Sequence, residues 1–442
     1  MTKRTIFLAV AAVGLWVAAE AQTVLTLEQC LQTGIERNLG LARRQNQMVR
    51  SREAVSESRA NLLPQINGYF NLNDNFEPTT NVGYSPAADA FVVSEALQYN
   101  AAGGVQLSMP LYNQSLYTAV AVKRLLADID RMQYDKARED LIVQISRLYY
   151  LGQMTAEQIR LIEENIGRIS QLRDITQALH ENDVVLEVDV QRIDINLKNL
   201  RVSHQNALSL HKQQLNTLKY IIDYDGSADI ALTAIDVSSE PTVALTGVTA
   251  SMPELEMLRS QQTLAQRQMT LVKQGYLPTL SLTGQLAWNT FSDKMSGWLD
   301  GASTHNKWYN TYGIGVSLRV PIFDGLSKKY RLRQAKIDAE NARITLEDTQ
   351  KSLQREYVNA VDEMTSNRRT YEEQLENLKL ARRVYDVTVD RYKEGLAGMT
   401  EVLQDEMSIN AAQNAYVSAH YNYRATSLTL LKLTGNLETL LK

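Results

Sequence analysis

The stretch Val105-Gln106-Leu107-Ser108-Met109-Pro110-Leu111 returns 211 residues later as Val316-Ser317-Leu318-Arg319-Val320-Pro321-Ile322. Both alternate apolar and polar side chains and then run into a proline. Working outward, Leu63-Pro64-Gln65 returns as Leu277-Pro278-Thr279 at an offset of 214, and Asn182 in Leu179-His180-Glu181-Asn182 matches Gly395 in Tyr392-Lys393-Glu394-Gly395 at an offset of 213. Three anchors in one order, with offsets that agree within three residues, read as a tandem duplication. The first copy is expected over 22–222 and the second over 253–442. The segment 223–252, rich in Asp, Ser, Thr, Ala and Gly, links them.

Proline punctuates the 442 residues sparingly. Its eight positions are 64, 78, 86, 110, 241, 253, 278 and 321, which leaves 111–240 and 322–442 free of it. Proline costs a helix interior about 3 kcal/mol, so these stretches are helix-permissive. Ile159, Ile162, Ile166, Ile169, Leu172 and Leu179 follow coiled-coil spacing in the first, and Leu375, Leu378 and Tyr385 do so in the second. Long helices are expected at about 113–178 and 324–392, each roughly 100 Å long at 1.5 Å per residue. Asn182 and Gly395 mark the turns that end them, because both residue types accept the left-handed conformation. Return helices follow at about 187–222 and 400–434, the latter with a small-residue stripe of Ala411, Ala415 and Ala419. Shorter helices open the copies, near 28–62 and 254–276.

Four segments alternate with period two and abut the junction prolines Pro64, Pro110, Pro278 and Pro321. They lie at about 65–76, 101–110, 279–290 and 311–320. In the third, Leu280, Leu282, Leu286 and Trp288 alternate with Ser281, Thr283, Gln285 and Asn289. About ten residues is the length of a tilted transmembrane strand, with one face for lipid and one for a watery lumen. A half-buried hairpin on a soluble core would alternate in the same way. Trp288, Trp308, Tyr309 and Tyr312 sit at or beside strand ends, where an interfacial aromatic girdle would lie. Long loops, 77–100 and 292–310, join the strands of each pair. Four strands cannot close a membrane barrel, which needs about eight, and an open edge in lipid leaves backbone groups unpaired. Completion by further chains is therefore expected.

The remaining arithmetic narrows the function. A net charge of −4 offers no footprint for nucleic acid, and one cysteine excludes a disulfide framework or a cysteine-based zinc site. Lys3 and Arg4, the apolar run Ile6–Ala19 and Ala19-Glu20-Ala21 form a secretory signal peptide over 1–21, a signal anchor being the other reading. No catalytic or phosphate-binding motif is present, so neither an enzyme nor a cofactor is expected. His204 and His211, seven apart on one helix face, could hold a metal only with another chain's help; packing or solvation is the plainer role.

The junctions, the run Ser317-Leu318-Arg319-Val320-Pro321-Ile322-Phe323-Asp324-Gly325, and Arg391-Tyr392-x-x-Gly395 followed by Thr400-Glu401-Val402-Leu403 resemble the TolC-type outer membrane efflux proteins. The resemblance spans about 25–435. It implies a mostly α fold with membrane β: a homotrimer whose twelve-stranded outer membrane β-barrel continues into a periplasmic α-helical barrel. It implies partners as well, a periplasmic adaptor and an inner-membrane pump, with the chain as a passive exit duct for drugs or metals, or for proteins in type I secretion. A periplasmic coiled-coil scaffold is the alternative of another class; it would explain the rods but not the strands. The first copy departs from the pattern, with Asn182 for glycine and an apparent one-residue insertion after it.

The resemblance also directs attention to acidic residues at the tip. Glu401 and Asp405 share a helix face, with Gln404 adjacent; Glu187 or Asp189 are their counterparts in the first copy, with Asp194 as a further candidate. Carboxylates in the first turn of a helix are favoured by the macrodipole alone, by about 0.3–1 kcal/mol. At a threefold pore they would also present a cation-selective ring. Both readings stay open.

Overall fold

The computed structural model describes residues 23–77, 80–227, 229–235, 247–249, 252–296 and 307–441. The expected leader, 1–21, lies outside these residues. In chain order, a short β1 (Thr23–Leu25) precedes helices α1 (Leu27–Arg37) and α2 (Leu39–Ala60). Then come strands β2 (Gln65–Asp74), β3 (Thr80–Ser85), β4 (Ala90–Glu95) and β5 (Tyr99–Tyr112), and helices α3 (Gln114–Glu181) and α4 (Glu187–Ile221). After β6 (Ile230–Leu232) the pattern returns: α5 (Pro253–Gln274), β7 (Thr279–Ser292), β8 (Tyr309–Arg319), α6 (Ser327–Lys393) and α7 (Met399–Leu433). No described helix is long and apolar enough to cross a membrane.

The chain divides into two compact units, and each draws on both halves of the sequence. One takes residues up to 43, 135–252 and 350–442; the other takes 44–134 and 253–349. The second unit holds a four-stranded antiparallel sheet in the order β2-β5-β7-β8. Its register runs Ile66↔Leu107, Leu107↔Gly284 and Leu282↔Val316, so the strands keep common faces. Pro110 lies within β5, not at its end. It lies beyond the last β2 pair, Gln65↔Ser108, and beside a register irregularity in the β7 ladder, where it still faces Ser281. The loop expected over 77–100 contains a hairpin of its own, β3–β4, paired from Thr80↔Glu95 to Ser85↔Ala90.

The first unit is built on helical packing. Thr26 and Gln29 cap α1 reciprocally. The single opening helix expected near 28–62 breaks at Asn38, whose side chain accepts from the Leu41 N–H (2.9 Å) and donates to the Ile221 carbonyl (2.8 Å). Cys30, in the first turn of α1, is fully buried. Burial pushes its thiol up to about 12, an inert packing group. Ile169, Leu172, Ile193, Leu197, Leu200, Tyr385, Tyr392, Met399, Val402 and Ile409 form one core shared by α3, α4, α6 and α7. On α7 the packing face runs through Ala412, Tyr416, Ala419 and Tyr423. Of the expected small-residue stripe, Ala419 lies on this face, Ala415 is half-buried and Ala411 is exposed.

Candidate functional site

Hydrogen bonding at the helical turns fixes the register between the halves of the chain. Gly395 is left-handed (φ 73°); its N–H donates to the Tyr392 carbonyl (3.0 Å), and that of Leu396 to Arg391 (2.8 Å). In the first half the left-handed residue is Asp183 (φ 60°), not Asn182. Asp183 donates to His180 (2.9 Å) and Val184 to Leu179 (2.9 Å), the same Schellman closure 212 residues earlier. Asn182 instead bonds back through its side chain to the Ala178 carbonyl (2.7 Å). At the other end of the hairpins, Asp223 (φ 49°) and Gly435 (φ 71°) repeat the motif at the same spacing. The one-residue insertion expected after Asn182 is therefore not there.

This register pairs Glu401 with Asp189 and sets Asp405 against Ile193, a fully buried position. Glu401 is exposed; its Oε1 accepts from the Gly398 N–H (3.3 Å), and its Oε2 lies 3.9 Å from the Arg391 guanidinium. Arg391 also donates to the Leu396 carbonyl (3.1 Å), which ties the turn together. Gln404 is exposed and Asp405 half-buried. Across the other hairpin, Asp189 pairs with Arg192 (3.0 Å), and Glu187 accepts from Gln191 (3.0 Å). Asp194 meets Arg173 (3.3 Å). The carboxylates thus follow helix-end rules, while Glu401, Gln404 and Glu187 keep exposed surface.

Sequence reasoning missed a polar seam beneath this surface. On α7, buried residues recur at spacings of four and three: Val402, Glu406, Ile409, Gln413, Tyr416, His420, Tyr423, Ser427 and Leu430. Every second one, from Glu406 onward, is polar, so the polar members stand seven residues apart. Glu406 accepts from Asn196 of α4 (2.9 Å) and Asn410 (2.5 Å); Gln413 donates to Asn165 of α3 (3.2 Å), which donates to Asn410 (2.6 Å). Ser427 bonds the Tyr423 carbonyl (2.9 Å). His420 lies 4.5 Å from the Tyr371 ring, and burial, with Arg424 adding to it, pushes its imidazole down to about 4. The signal available in the sequence was a heptad seam with a polar residue in every second slot. His204 bonds Glu163 (3.0 Å), and no group of metal-ligating side chains occurs among the described residues.

In the other unit, the sheet has two chemically opposite faces. One presents Ile66, Phe70 and Leu72 of β2, Val105 and Leu107 of β5, Leu282, Leu286 and Trp288 of β7, and Tyr312, Ile314, Val316 and Leu318 of β8. Much of it is bare: Ile314 is 78% and Ile66 70% exposed. The opposite face is amide, hydroxyl and glycine, including Asn67, Tyr69, Gln106, Thr283, Gln285, Gly313, Gly315 and Ser317. Gln285 reaches the Tyr69 hydroxyl (3.2 Å) across it. Trp288 pairs with Asn310, Tyr309 with Asn289 and Tyr312 with Leu286, and Trp308 precedes β8, so all four aromatics gather at the loop end of the β7–β8 pair. Pro64, Pro278 and Pro321 stand at the opposite, helical end, with Pro110 inside β5. Gly325 and Leu326 turn left-handed after Pro321, and Asp324 caps α6 through the Lys328 N–H (3.0 Å).

One unit thus carries a four-stranded sheet with a bare apolar face, and the other a core shared by four helices. Residues 247–436 match the family described as Outer membrane efflux protein. Outer membrane protein TolC of Escherichia coli is 22% identical over 409 residues (87% of this chain, 77% of the relative), and that of Vibrio cholerae 24% over 405 (87% and 85%). Among solved structures, the outer membrane protein VceC from Vibrio cholerae superposes with a TM-score of 0.75 at 15% identity, covering 94% of this chain and 95% of that one. The CmeC outer membrane channel of Campylobacter jejuni does so at 0.75 and 17% identity (93% and 85%). The chain thus resembles the TolC-type outer membrane efflux proteins in sequence and shares their fold.

Proposed function

We propose that three copies of this chain close a twelve-stranded barrel in the outer membrane and continue as a periplasmic helical tube. In this reading each chain is a tandem duplicate, 22–222 and 253–442, joined through 223–252. The observation that carries it is the open sheet: β2 and β8 are edges, one face is apolar and bare, and the other is polar. Edges in lipid leave backbone groups unpaired at several kcal/mol each, which pairing β8 of one copy with β2 of the next removes. The polar faces then line a watery lumen. The duct works without catalysis, passing small molecules delivered by an inner-membrane pump through a periplasmic adaptor. Glu401, Gln404 and Asp405, with Glu187 and Asp189, ring its periplasmic end. Mass measurement of the detergent-extracted protein tests the assembly: a trimer with ion-conducting activity in planar bilayers is expected, and a monodisperse monomer with full strand content overturns it.

A further inference from the structure

The offsets of the sequence repeat hold pair for pair in the four-stranded sheet. Carried forward by 214 residues, Gln65 of β2 lands on Thr279 of β7; carried forward by 211, Ser108 of β5 lands on Arg319 of β8. Gln65 pairs with Ser108, and Thr279 pairs with Arg319. The same two shifts turn Asn67↔Gln106 into Ser281↔Ser317, and Leu72↔Ala101 into Leu286↔Tyr312, and all four pairs are present. The strand pairs β2–β5 and β7–β8 therefore share one internal register.

Inside the chain, β5–β7 joins the second strand of one pair to the first strand of the other. Its ladder includes Gly104↔Ala287, Val105↔Leu286, Gln106↔Gln285, Leu107↔Gly284 and Ser108↔Thr283. In a ring of copies, β8 and the next copy's β2 stand in the same relation. Strand tilt in a closed barrel is tied to the stagger between neighbouring strands. Pairs with one internal register keep one tilt around the ring only when both kinds of junction step by the same stagger. The junction within the chain is thus a template for the junction between copies. Applying the two offsets to it pairs Gly315, Val316, Ser317, Leu318 and Arg319 with Asn73, Leu72, Asn71, Phe70 and Tyr69 of the next copy, in that order. The faces agree, because Val316 and Leu318 on the apolar side meet Leu72 and Phe70, and Ser317 on the polar side meets Asn71. A slip of one residue would set apolar against polar along the whole seam. A slip of two keeps the faces but gives the ring two unequal staggers.

We infer that copies of this chain join β8 to β2 in one register, with Ser317 of one copy opposite Asn71 of the next and Val316 and Leu318 opposite Leu72 and Phe70. The inference rests on the barrel reading, and its test separates the two. Within one chain β2 and β8 are the two edges of the sheet, three strand spacings or about 14 Å apart, too far for a disulfide. A cross-link between them therefore joins two copies. Cys30→Ser supplies the background for three double variants of the full-length protein: Ser317→Cys combined with Asn71→Cys, with Tyr69→Cys or with Asn73→Cys, all on the polar face. Directly opposed residues lie about 4.5–5.5 Å apart between Cα atoms, within disulfide reach, and residues displaced by two lie about 7–8 Å apart, beyond it. Copper–phenanthroline oxidation of the detergent-extracted protein should link copies through 317 and 71 at least about tenfold faster than through 317 and 69 or 317 and 73. Faster linking at 69 or 73 overturns the register and leaves the barrel reading intact. No linking in any of the three, in protein that keeps its full strand content, sinks the barrel reading and the register with it. Val316→Cys with Leu72→Cys, compared with Phe70→Cys and Asp74→Cys as partners and oxidised by iodine, repeats the measurement on the apolar face, so a variant that fails to assemble does not shield the register from refutation.

Discussion

Arginine placed at Val316 or at its neighbour Ser317 separates a membrane sheet from a soluble one. Val316 lies mid-strand in β8, opposite Leu282 and 62% exposed; Ser317 lies opposite Ser281 on the polar face. If the apolar face meets hydrocarbon, Val316→Arg carries a charge near the midplane at a cost of about 2–4 kcal/mol. At 1.4 kcal/mol per factor of ten, that is about a 30- to 700-fold loss in the folding equilibrium for each copy. Ser317→Arg keeps its charge in water and removes no hydrogen bond seen in the sheet, so its cost stays below about 1 kcal/mol. Urea titrations of the protein folded into phospholipid vesicles read both costs, and outer-membrane fractionation reads assembly. Leu282→Arg should repeat the first result. At Thr283→Arg the lost bond to the Gly315 carbonyl (3.3 Å) adds about 1 kcal/mol. Equal penalties at 316 and 317, or a larger one at 317, would refute the assignment of faces.

Three further outcomes are expected. Asp183→Gly should stabilise the first turn by about 0.5–1 kcal/mol by relieving a left-handed residue, whereas Gly395→Ala should cost about 1–2 kcal/mol for backbone reasons alone, since a Cβ there meets nothing within 4 Å; thermal melts of the two variants read the contrast. For His420, burial lowers the folded-state pKa, so the unfolded chain takes the proton first: stability is intact above the ordinary histidine value and falls as pH drops toward 4, by about 3 kcal/mol in all, and chemical denaturation across that window should show this slope in the parent but not in His420→Phe. Replacing both Glu401 and Asp405 with Ala should weaken cation selectivity while costing at most about 1 kcal/mol of stability per helix; an unshifted reversal potential in a salt gradient would return these carboxylates to a purely helix-capping role.

How far the sequence could be read depended on how local the governing physics was. Proline spacing and period-two alternation are local, so the helical character and the amphipathic strands were legible from them, while the family rested on the resemblance carried by the junction and turn motifs. The left-handed turn was harder. Asn182 and Asp183 are both acceptable there by type, and the choice is made by which carbonyls of α3 remain open after Leu179 and His180, a matter of helix register. The β3–β4 hairpin was hidden by its short strands, six residues each, and by Pro86 in the turn between them. Glu406, Gln413 and His420 were passed over because polar residues on a charged helix read as solvated; only their partners on α3, α4 and α6 reveal that they are buried.

That polar seam has a mechanical corollary. Along α7 the buried slots alternate between apolar or aromatic and polar, so the polar members repeat every seven residues. Sliding α7 against α3 and α4 by half a repeat would set Glu406 and Gln413 against apolar neighbours, at about 1–3 kcal/mol for each group left unpaired. The next alignment that matches polar to polar lies a full heptad away, about 10 Å along the axis. The helix is therefore keyed like a ratchet with widely spaced teeth. Small axial slips are resisted at Glu406 and Gln413, the two rungs bonded to α4 and α3.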